Sequence, residues 1–301
     1  MTAALRPERI AEPDCAAGRH LLLGLIGAGI GQSRSPAQHE GEARAQGLNC
    51  IYRLIDLDEL RLAPADLPDL LTAAQRFGFA GLNITFPCKQ AIIPHLDELS
   101  EHAEALGAVN TVVFKDGRRI GHNTDWSGYA GAFRAALPAA TGDRIVLFGG
   151  GGAGAAVAYA HLMMGCGDLA LVETDAVRAH SLLHQMEARF GAGRIRVSTD
   201  PQADVAAAGG IVNATPVGMA KYPGVPFPVA WLRPEHWVSD IIYFPLETEL
   251  LANARKLRCR VLDGSGMNIR QAAEAFHHFS GREPDVARMR RLFDAAGGGS
   301  P

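Results

Sequence analysis

A run of glycines between an apolar segment and an alanine-rich segment constrains the fold more than any other feature of this sequence. RIVLF at 144–148 is a short continuous apolar run, typical of a strand buried on both faces of a parallel sheet. Gly149, Gly151 and Gly154 follow with the GxGxxG spacing, and AAVAYAHLMMGCG after them favours a helix. Glycine permits a tight turn, close approach of a pyrophosphate and close helix packing, and the helix N-terminus offers free N–H groups. This order of strand, glycine turn and helix predicts a dinucleotide-binding fold.

An acidic residue stands where such a fold binds the adenosine ribose. DLALVETD at 168–175 predicts the next strand, and Glu173 lies 19 residues after Gly154. A carboxylate there accepts hydrogen bonds from ribose hydroxyls and repels the 2′-phosphate of NADP. The sequence therefore predicts NAD, with NADP less favoured. Arg178 complicates this prediction, because it is close enough along the chain to stack on the adenine or reach a phosphate.

The rest of the chain alternates strand-like and helix-like segments, which is typical of βαβ units. Further strands are predicted at 21–27, 49–57, 81–86, 209–219, 236–245 and 259–267, with a two-stranded hairpin within 108–125. Further helices are predicted at 35–47, 66–78, 90–107, 176–193, 268–281 and 285–297. We therefore expect an α/β protein, with an N-terminal α/β domain and a Rossmann-type, doubly wound parallel sheet.

Composition excludes several classes of function. The 301 residues are enough for two domains, and a net charge of −3 argues against nucleic acid or an anionic membrane surface as a partner. No apolar run approaches the roughly 20 residues of a membrane span, and the first twenty residues lack the apolar stretch of a signal peptide. A cytoplasmic location is expected, because the scattered cysteines suggest neither a disulfide framework nor a zinc site. They are Cys15, Cys50, Cys88, Cys166 and Cys259.

Four short polar stretches of the first half are candidates for a substrate site. They are SRSP (33–36), NITFPCK (83–89), GAVNT (107–111) and NTD (123–125). Each places a small polar or charged side chain at the edge of an apolar segment. Taken singly, each also has a structural explanation: Ser35 as a helix cap, Asn110 as a turn residue, and Lys89 and Asp125 as surface charges. Composition and spacing leave both interpretations open.

Together, the motifs resemble those of the shikimate dehydrogenase family, and most closely its NAD-dependent quinate/shikimate dehydrogenase branch. The resemblance runs from about residue 21 to 295. It rests on SRSPAQH, GLNITFPCKQ, LGAVNTV, GHNTD, the GGGGAG turn, NATPVGM, DIIYFPLETELL and DGSGMNIRQAAEAF. It implies hydride transfer between a nicotinamide and a cyclic hydroxy acid, with Lys89 and Asp125 as the catalytic pair.

The resemblance also implies a substrate site and a cofactor site. The substrate residues it implies are Ser33, Ser35, Thr85, Asn110, Tyr243 and Gln271. The cofactor residues expected are Gly149, Gly150, Gly151, Gly152, Ala153, Gly154, Glu173, Arg178, Thr215, Ile241 and Gly264. NADP-type members usually carry Asn-Arg-Thr after the second strand, whereas this chain has Glu173-Thr174-Asp175. That departure weakens an assignment to NADP.

The implied domains are an extension over 1–19, a substrate domain over 20–122 that helices in 265–301 complete, and a dinucleotide domain over 123–264. A monomer or a homodimer is expected. No metal is needed, since His180 and His184 have helical i,i+4 spacing but lack a third ligand. The alternatives are an NADP-dependent biosynthetic shikimate dehydrogenase, a relative acting on an amino analogue, and a non-catalytic nucleotide-sensing module.

Overall fold

A computed structural model describes residues 20–297 and contains two six-stranded sheets. The predicted extension over 1–19, with Cys15, lies outside the described residues. Within 20–297, no helix combines the length and the apolarity needed to cross a lipid bilayer. The strands of the first sheet are β1 His20–Gly27, β2 Asn49–Asp56, β3 Gly81–Ile84, β4 Glu98–Leu99, β5 Thr111–Lys115 and β6 Arg118–His122.

The first sheet is mixed, with the order β2-β1-β3-β5-β6-β4. Strands β1, β2 and β3 are parallel, whereas β5 runs antiparallel to both β3 and β6. The predicted hairpin is therefore confirmed. Its turn contains Asp116 and Gly117, both with positive φ (52° and 77°), a conformation that Asp and Gly tolerate better than most residues.

The helices that follow these strands are α1 Ser35–Ala45, α2 Leu57–Leu60, α3 Leu67–Arg76, α4 Cys88–Ala91 and α5 Glu101–Leu106, with 3₁₀ turns at Pro64–Asp66 and Ile93–His95.

The single helix predicted over 90–107 is wrong. Helix α4 ends at Ala91, a 3₁₀ turn follows, and β4 then pairs with β6. Pro94 lacks the N–H group that would continue a helix. The N–H of Asp97 donates instead to the Arg119 carbonyl at 2.9 Å. A new helix starts after Ser100, whose hydroxyl accepts from the Ala103 N–H at 3.3 Å.

The second sheet is entirely parallel, as predicted. Its strands are β7 Ile145–Phe148, β8 Leu169–Val172, β9 Ile195–Val197, β10 Gly210–Asn213, β11 Trp237–Asp240 and β12 Arg260–Leu262. They lie in the order β12-β11-β10-β7-β8-β9, which is the doubly wound Rossmann arrangement. All four residues of β7 are buried, as the continuous apolar run indicated.

Seven helices accompany this half of the described chain, with 3₁₀ turns at Pro138–Ala140 and Val229–Trp231. The helices are α6 Asp125–Ala136, α7 Gly152–Met163, α8 Ala176–Phe190, α9 Pro201–Ala207, α10 Glu249–Lys256, α11 Ser265–Ser280 and α12 Val286–Gly297. Helices α6, α9 and α10 fall in segments for which the sequence analysis made no assignment.

Helices α6 and α11 pack closely against one another. The close approach depends on Gly128, because a Cβ there would lie 2.8 Å from the Gln271 nitrogen and 2.9 Å from the Met267 carbonyl oxygen. Helices α11 and α12 also contact α1, so the last two helices of the described residues pack against the first half. The domain boundaries at 122, 123 and 264 stay a prediction.

Candidate active site

The polar stretches of the first half meet at one edge of the first sheet. Asn83 near the end of β3 is opposite Thr111 at the start of β5, and Thr111 is opposite His122 at the end of β6. Because β5 is antiparallel to both neighbours, its beginning lies beside their ends. The segments 83–89, 107–111 and 123–125 are therefore brought together, although they are far apart in sequence.

Lys89 and Asp125 form an ion pair at this edge. The Lys89 Nζ and Asp125 Oδ2 are 2.6 Å apart, and the two side chains are only 19% and 10% exposed. Lys89 belongs to α4, and its carbonyl accepts from the Val109 N–H at 2.8 Å. Asp125 begins α6, where its N–H donates to the Asn123 side chain at 3.0 Å. Both charged groups are thus held by the backbone around them and keep limited access to solvent.

Asn110 is buried, and its side-chain amide is hydrogen-bonded to Thr124 and Thr111. Its Oδ1 accepts from the Thr124 N–H at 2.8 Å, and its Nδ2 donates to the Thr124 hydroxyl at 3.0 Å. The Thr111 hydroxyl donates to the same Oδ1 at 3.1 Å. These bonds fix the backbone immediately before Asp125. The role of Asn110 toward a ring hydroxyl stays a prediction.

Two buried polar residues beside this network were not among the predicted site residues. The Tyr52 hydroxyl donates to Asn83 Oδ1 at 2.8 Å, and Asn83 Nδ2 donates to the Thr111 hydroxyl at 3.1 Å. Burial raises the pKa of the Tyr52 phenol, an effect that the nearby Ser35 hydroxyl opposes. Asn83 lies within the NITFPCK stretch, so its position was a signal. Tyr52 lies in a strand with no motif to mark it.

Ser33 and Ser35 present two adjacent hydroxyls between β1 and α1. The Ser33 hydroxyl donates to the Ser35 hydroxyl at 3.2 Å and accepts from the Ser35 N–H at 3.3 Å. Ser35 is the first residue of α1 and the N-cap is Arg34, without a side-chain cap. The interpretation of Ser35 as a capping residue is therefore wrong. Both serines are half-buried.

Tyr243 connects this site with the second sheet. It follows β11, is 36% exposed, and its phenol pKa is raised by burial. The positive charges of Lys89 and Arg34 oppose that rise, and the Asp125 carboxylate adds to it. These charges act on the phenol only because the end of β11 lies near the Lys89–Asp125 pair. Gln271 lies in the second turn of α11 and Thr85 follows β3, and both are half-buried.

The glycine turn has the geometry that a pyrophosphate requires. Gly149 has a φ of +95°, and a Cβ at Gly154 would lie 2.0 Å from the Gly149 carbonyl oxygen. Nothing lies within 4 Å of a Cβ built at Gly151 or Gly152, so this side of the turn is open. The first N–H groups of α7, at Gly152 and Ala153, have no acceptor within the helix. The turn therefore fits the phosphates of a dinucleotide.

Glu173 follows β8 beside this turn, with 7% of its side chain exposed. Its carboxylate accepts from the Gly150 N–H at 2.8 Å and from the Asp175 N–H at 3.0 Å. Arg178 Nε lies 3.2 Å from the same carboxylate. Burial alone would raise the pKa of Glu173, but these two N–H donors and the Arg178 charge outweigh it and lower the pKa. Glu173 is therefore an ionised group that also holds the glycine turn.

The remaining predicted cofactor residues lie at the same edge of the second sheet. Thr215 follows β10, and its hydroxyl donates to Asn213 Oδ1 at 2.7 Å. Ile241 follows β11, and a Cβ at Gly264 would lie 2.2 Å from its carbonyl oxygen. The carboxyl ends of β7, β8, β10 and β11 thus converge, as expected for a ligand crevice in an open α/β sheet. Within residues 20–297, no three His, Cys, Asp or Glu side chains are arranged to hold a metal ion.

Comparison with known proteins agrees with this geometry. A family model described as the shikimate dehydrogenase substrate binding domain matches residues 25–112. The chain is 53% identical over 270 residues to a shikimate dehydrogenase (NADP(+)) of Streptomyces avermitilis, covering 89% of this chain and 93% of that protein. It is 49% identical over 277 residues to a quinate/shikimate dehydrogenase (NAD(+)) of Corynebacterium glutamicum strain R, covering 91% and 98%.

A solved structure is similar over nearly the whole described chain. It is the quinate dehydrogenase from Corynebacterium glutamicum in complex with NAD, with a TM-score of 0.88 and 48% identity. The match covers 92% of this chain and 99% of that one. Relatives of comparable identity are therefore named for both nicotinamide dinucleotides.

Proposed function

This chain belongs to the shikimate dehydrogenase family, and on that premise we propose that it is an NAD-dependent dehydrogenase of quinate and shikimate. The reaction is the interconversion of a ring hydroxyl of the acid and the corresponding 3-dehydro ketone. The observation that carries the proposal is the Lys89–Asp125 ion pair, 2.6 Å long and largely buried, at the edge where the predicted substrate residues meet. The chain is an oxidoreductase of the shikimate/quinate dehydrogenase type that uses a nicotinamide dinucleotide.

The proposed mechanism assigns proton transfer to Lys89. Oxidation of a secondary alcohol requires a base to accept the hydroxyl proton while the hydride leaves. In oxidation, the Lys89 ammonium of the ion pair first gives up one proton to solvent, and the resulting amine accepts the hydroxyl proton. In reduction, the ammonium donates a proton to the ketone oxygen. Asp125, bonded to Lys89 Nζ, orients it toward the ring. The bound nicotinamide supplies the hydride acceptor at its C4. Ser33 and Ser35 would hold the substrate carboxylate through their adjacent hydroxyls, and Tyr243 would line the same end.

The preference for NAD is proposed from the charges after β8. Glu173, Asp175 and Arg178 form a cluster in which Arg178 lies within 3.4 Å of both carboxylates, so one negative charge is left uncompensated. A 2′-phosphate placed there would meet that negative charge, and Arg178 is already engaged by two carboxylates. The ribose 2′-hydroxyl of NAD, by contrast, has an ionised Glu173 as an acceptor.

A second candidate is an NADP-dependent shikimate dehydrogenase. It is favoured by the name of the Streptomyces avermitilis relative and by Arg178, which is 49% exposed and reaches a phosphate if it leaves the carboxylates. The amino-analogue dehydrogenase has no supporting observation. A non-catalytic nucleotide-sensing module is disfavoured because it has no need for the Lys89–Asp125 pair.

The proposal is tested by initial rates with quinate and shikimate, each with NAD⁺ and NADP⁺. Turnover of either acid with a preference for NAD⁺ supports it. Turnover with an NADP⁺ preference supports the second candidate, and no turnover of either acid with either cofactor contradicts both. The cytoplasmic location and the monomeric or homodimeric state are kept as predictions.

A further inference from the structure

An arginine lies between the two serines of the SRSP loop. Arg34 is the N-cap of α1, a position where a positive charge opposes the helix dipole. Helix stability therefore does not explain a cation there. The Ser33 and Ser35 hydroxyls on either side of it are 3.2 Å apart. We propose that Arg34 is a substrate-binding residue that supplies the positive charge for the substrate carboxylate, an inference that rests on the proposed function.

Helix α12 holds the guanidinium in place. Arg34 Cζ lies 4.2 Å from the centroid of the Phe293 ring, and Arg34 Nη1 donates to the Phe293 carbonyl at 3.4 Å. A guanidinium stacked on an aromatic ring keeps its remaining N–H donors at its edge. Among residues 20–297, no carboxylate oxygen lies within 4.0 Å of an Arg34 nitrogen, so no ion pair of the described chain neutralises its charge.

The Arg34 charge acts on the same end of the site as Tyr243. The rings of Tyr243 and Phe293 meet edge to face with centroids 6.3 Å apart, so Arg34 and Tyr243 lie against one aromatic ring. The Arg34 charge also opposes the rise in the Tyr243 pKa. The guanidinium is therefore close enough to act on groups that line the carboxylate end.

A cation improves carboxylate recognition for a physical reason. Transfer of a carboxylate from water into a half-buried site costs free energy that two neutral hydroxyls offset only in part. A guanidinium adds Coulombic attraction and charge-assisted hydrogen bonds in the planar geometry that a carboxylate matches. It also discriminates against uncharged analogues, because an ester loses this attraction while it keeps the ring hydroxyls. Phe293 is then a positioning residue, because it acts only through Arg34.

The test compares the acid with its methyl ester. Arg34→Met removes the charge and keeps an apolar stem against Phe293. We expect kcat/KM for shikimate or quinate to fall by at least about tenfold, mainly through KM, and kcat/KM for the methyl ester to change by less than about twofold. The ratio of kcat/KM for the acid to kcat/KM for the ester (the acid-to-ester ratio) therefore falls by at least about fivefold. Arg76→Gln, which removes an exposed arginine of α3, is the matched control and should leave the ratio unchanged.

An unchanged acid-to-ester ratio in Arg34→Met overturns the proposal, whether the two kcat/KM values are unaffected or fall equally. If Arg34→Met does not fold, Arg34→Gln, with a planar uncharged head group, gives the same comparison. Arg34→Lys keeps the charge but lacks the planar guanidinium, so it should lower the ratio by less than Arg34→Met does without restoring the wild-type value. Wild-type turnover is measured first. An inactive wild type contradicts the proposed function, whereas an active wild type with an unaffected variant contradicts only the role of Arg34.

Discussion

Lys89 is the residue on which the proposed chemistry depends most. Its replacement by alanine should lower kcat by roughly 10²–10⁴, the usual contribution of a general acid or base. The dissociation constant of NAD⁺ should be nearly unchanged, because the predicted cofactor residues follow strands of the other sheet. Steady-state rates and a cofactor titration measure the two quantities. Lys115→Ala, at an exposed lysine of β5, is the control, and a near-normal kcat in folded Lys89→Ala would contradict the assignment.

Glu173 determines the predicted cofactor preference. We expect kcat/KM for NAD⁺ to exceed that for NADP⁺ by at least about 30-fold, or roughly 2 kcal/mol. Glu173→Ala should reduce this preference mainly by improving the use of NADP⁺, because it removes a negative charge and releases Arg178 from one of its two carboxylates. Rates with both cofactors measure the effect, with Glu235→Ala as an exposed acidic control. Equal wild-type use of both cofactors would refute the prediction.

Sequence motifs identified single residues better than the contacts these residues make. The spacing after Gly154 located Glu173 next to the glycine turn. It did not predict the two backbone N–H groups that donate hydrogen bonds to the Glu173 carboxylate. Asn83 and Tyr52 were missed because their bond joins β3 to a strand 31 residues earlier in the chain. Such a contact depends on the order of strands in the sheet, which no local pattern contains.

At the scale of elements, boundaries were reliable where apolar periodicity was strong. The strands β1, β2, β7 and β8 lie close to their predicted positions. The segment 90–107 was misassigned because its helix-forming residues outweighed Pro94 in the local pattern. The N–H of Asp97 and the strand β4 both pair with β6, whose residues lie about 20 positions further along the chain. The local pattern does not contain these pairings.

The contact of α6 with α11 makes a paired prediction about two glycines of one helix. Gly128→Ala should lower the free energy of unfolding by about 1–3 kcal/mol, because its Cβ would meet rigid backbone atoms of α11 within 3 Å. Gly131→Ala should be neutral or stabilising by up to about 1 kcal/mol, because its Cβ meets only the flexible Arg270 side chain and alanine favours a helix. Denaturant unfolding of both variants measures the difference, and equal effects would contradict it.

At the scale of the whole molecule, the two sheets were predictable to different degrees. The second sheet follows from its repeated strand–helix units, since parallel βαβ connections leave few topologies. The first sheet adds the antiparallel strands β5 and β6 and the short β4, and its order depends on pairings that the sequence pattern does not specify. The predicted substrate residues meet at one edge because of these antiparallel strands, so their meeting required the structure.

Buried histidines in both halves of the molecule predict a loss of stability in mild acid. Burial lowers the pKa of His39 and of His161 from 6.5 to about 3. It also lowers the pKa of His278, which stacks on His122 at 4.1 Å, to about 4. As the pH falls, a histidine whose pKa is lowered in the folded state becomes protonated at a higher pH in the unfolded chain than in the folded protein. Its stabilising contribution is therefore present above pH 6.5 and is lost as the pH falls toward the folded value.

The free energy of unfolding should thus fall between pH 7 and pH 5, by up to about 2 kcal/mol for each such histidine. Glu274 and Asp240 have raised pKa values and oppose this loss in part, because they favour protonation of the folded state. Denaturant unfolding at both pH values measures the change. His278→Gln should reduce the pH dependence by up to about 2 kcal/mol, whereas His180→Gln, at an exposed position of α8, should leave it unchanged. The same dependence in His278→Gln as in the wild type would show that His278 is protonated equally easily in the folded and unfolded chains.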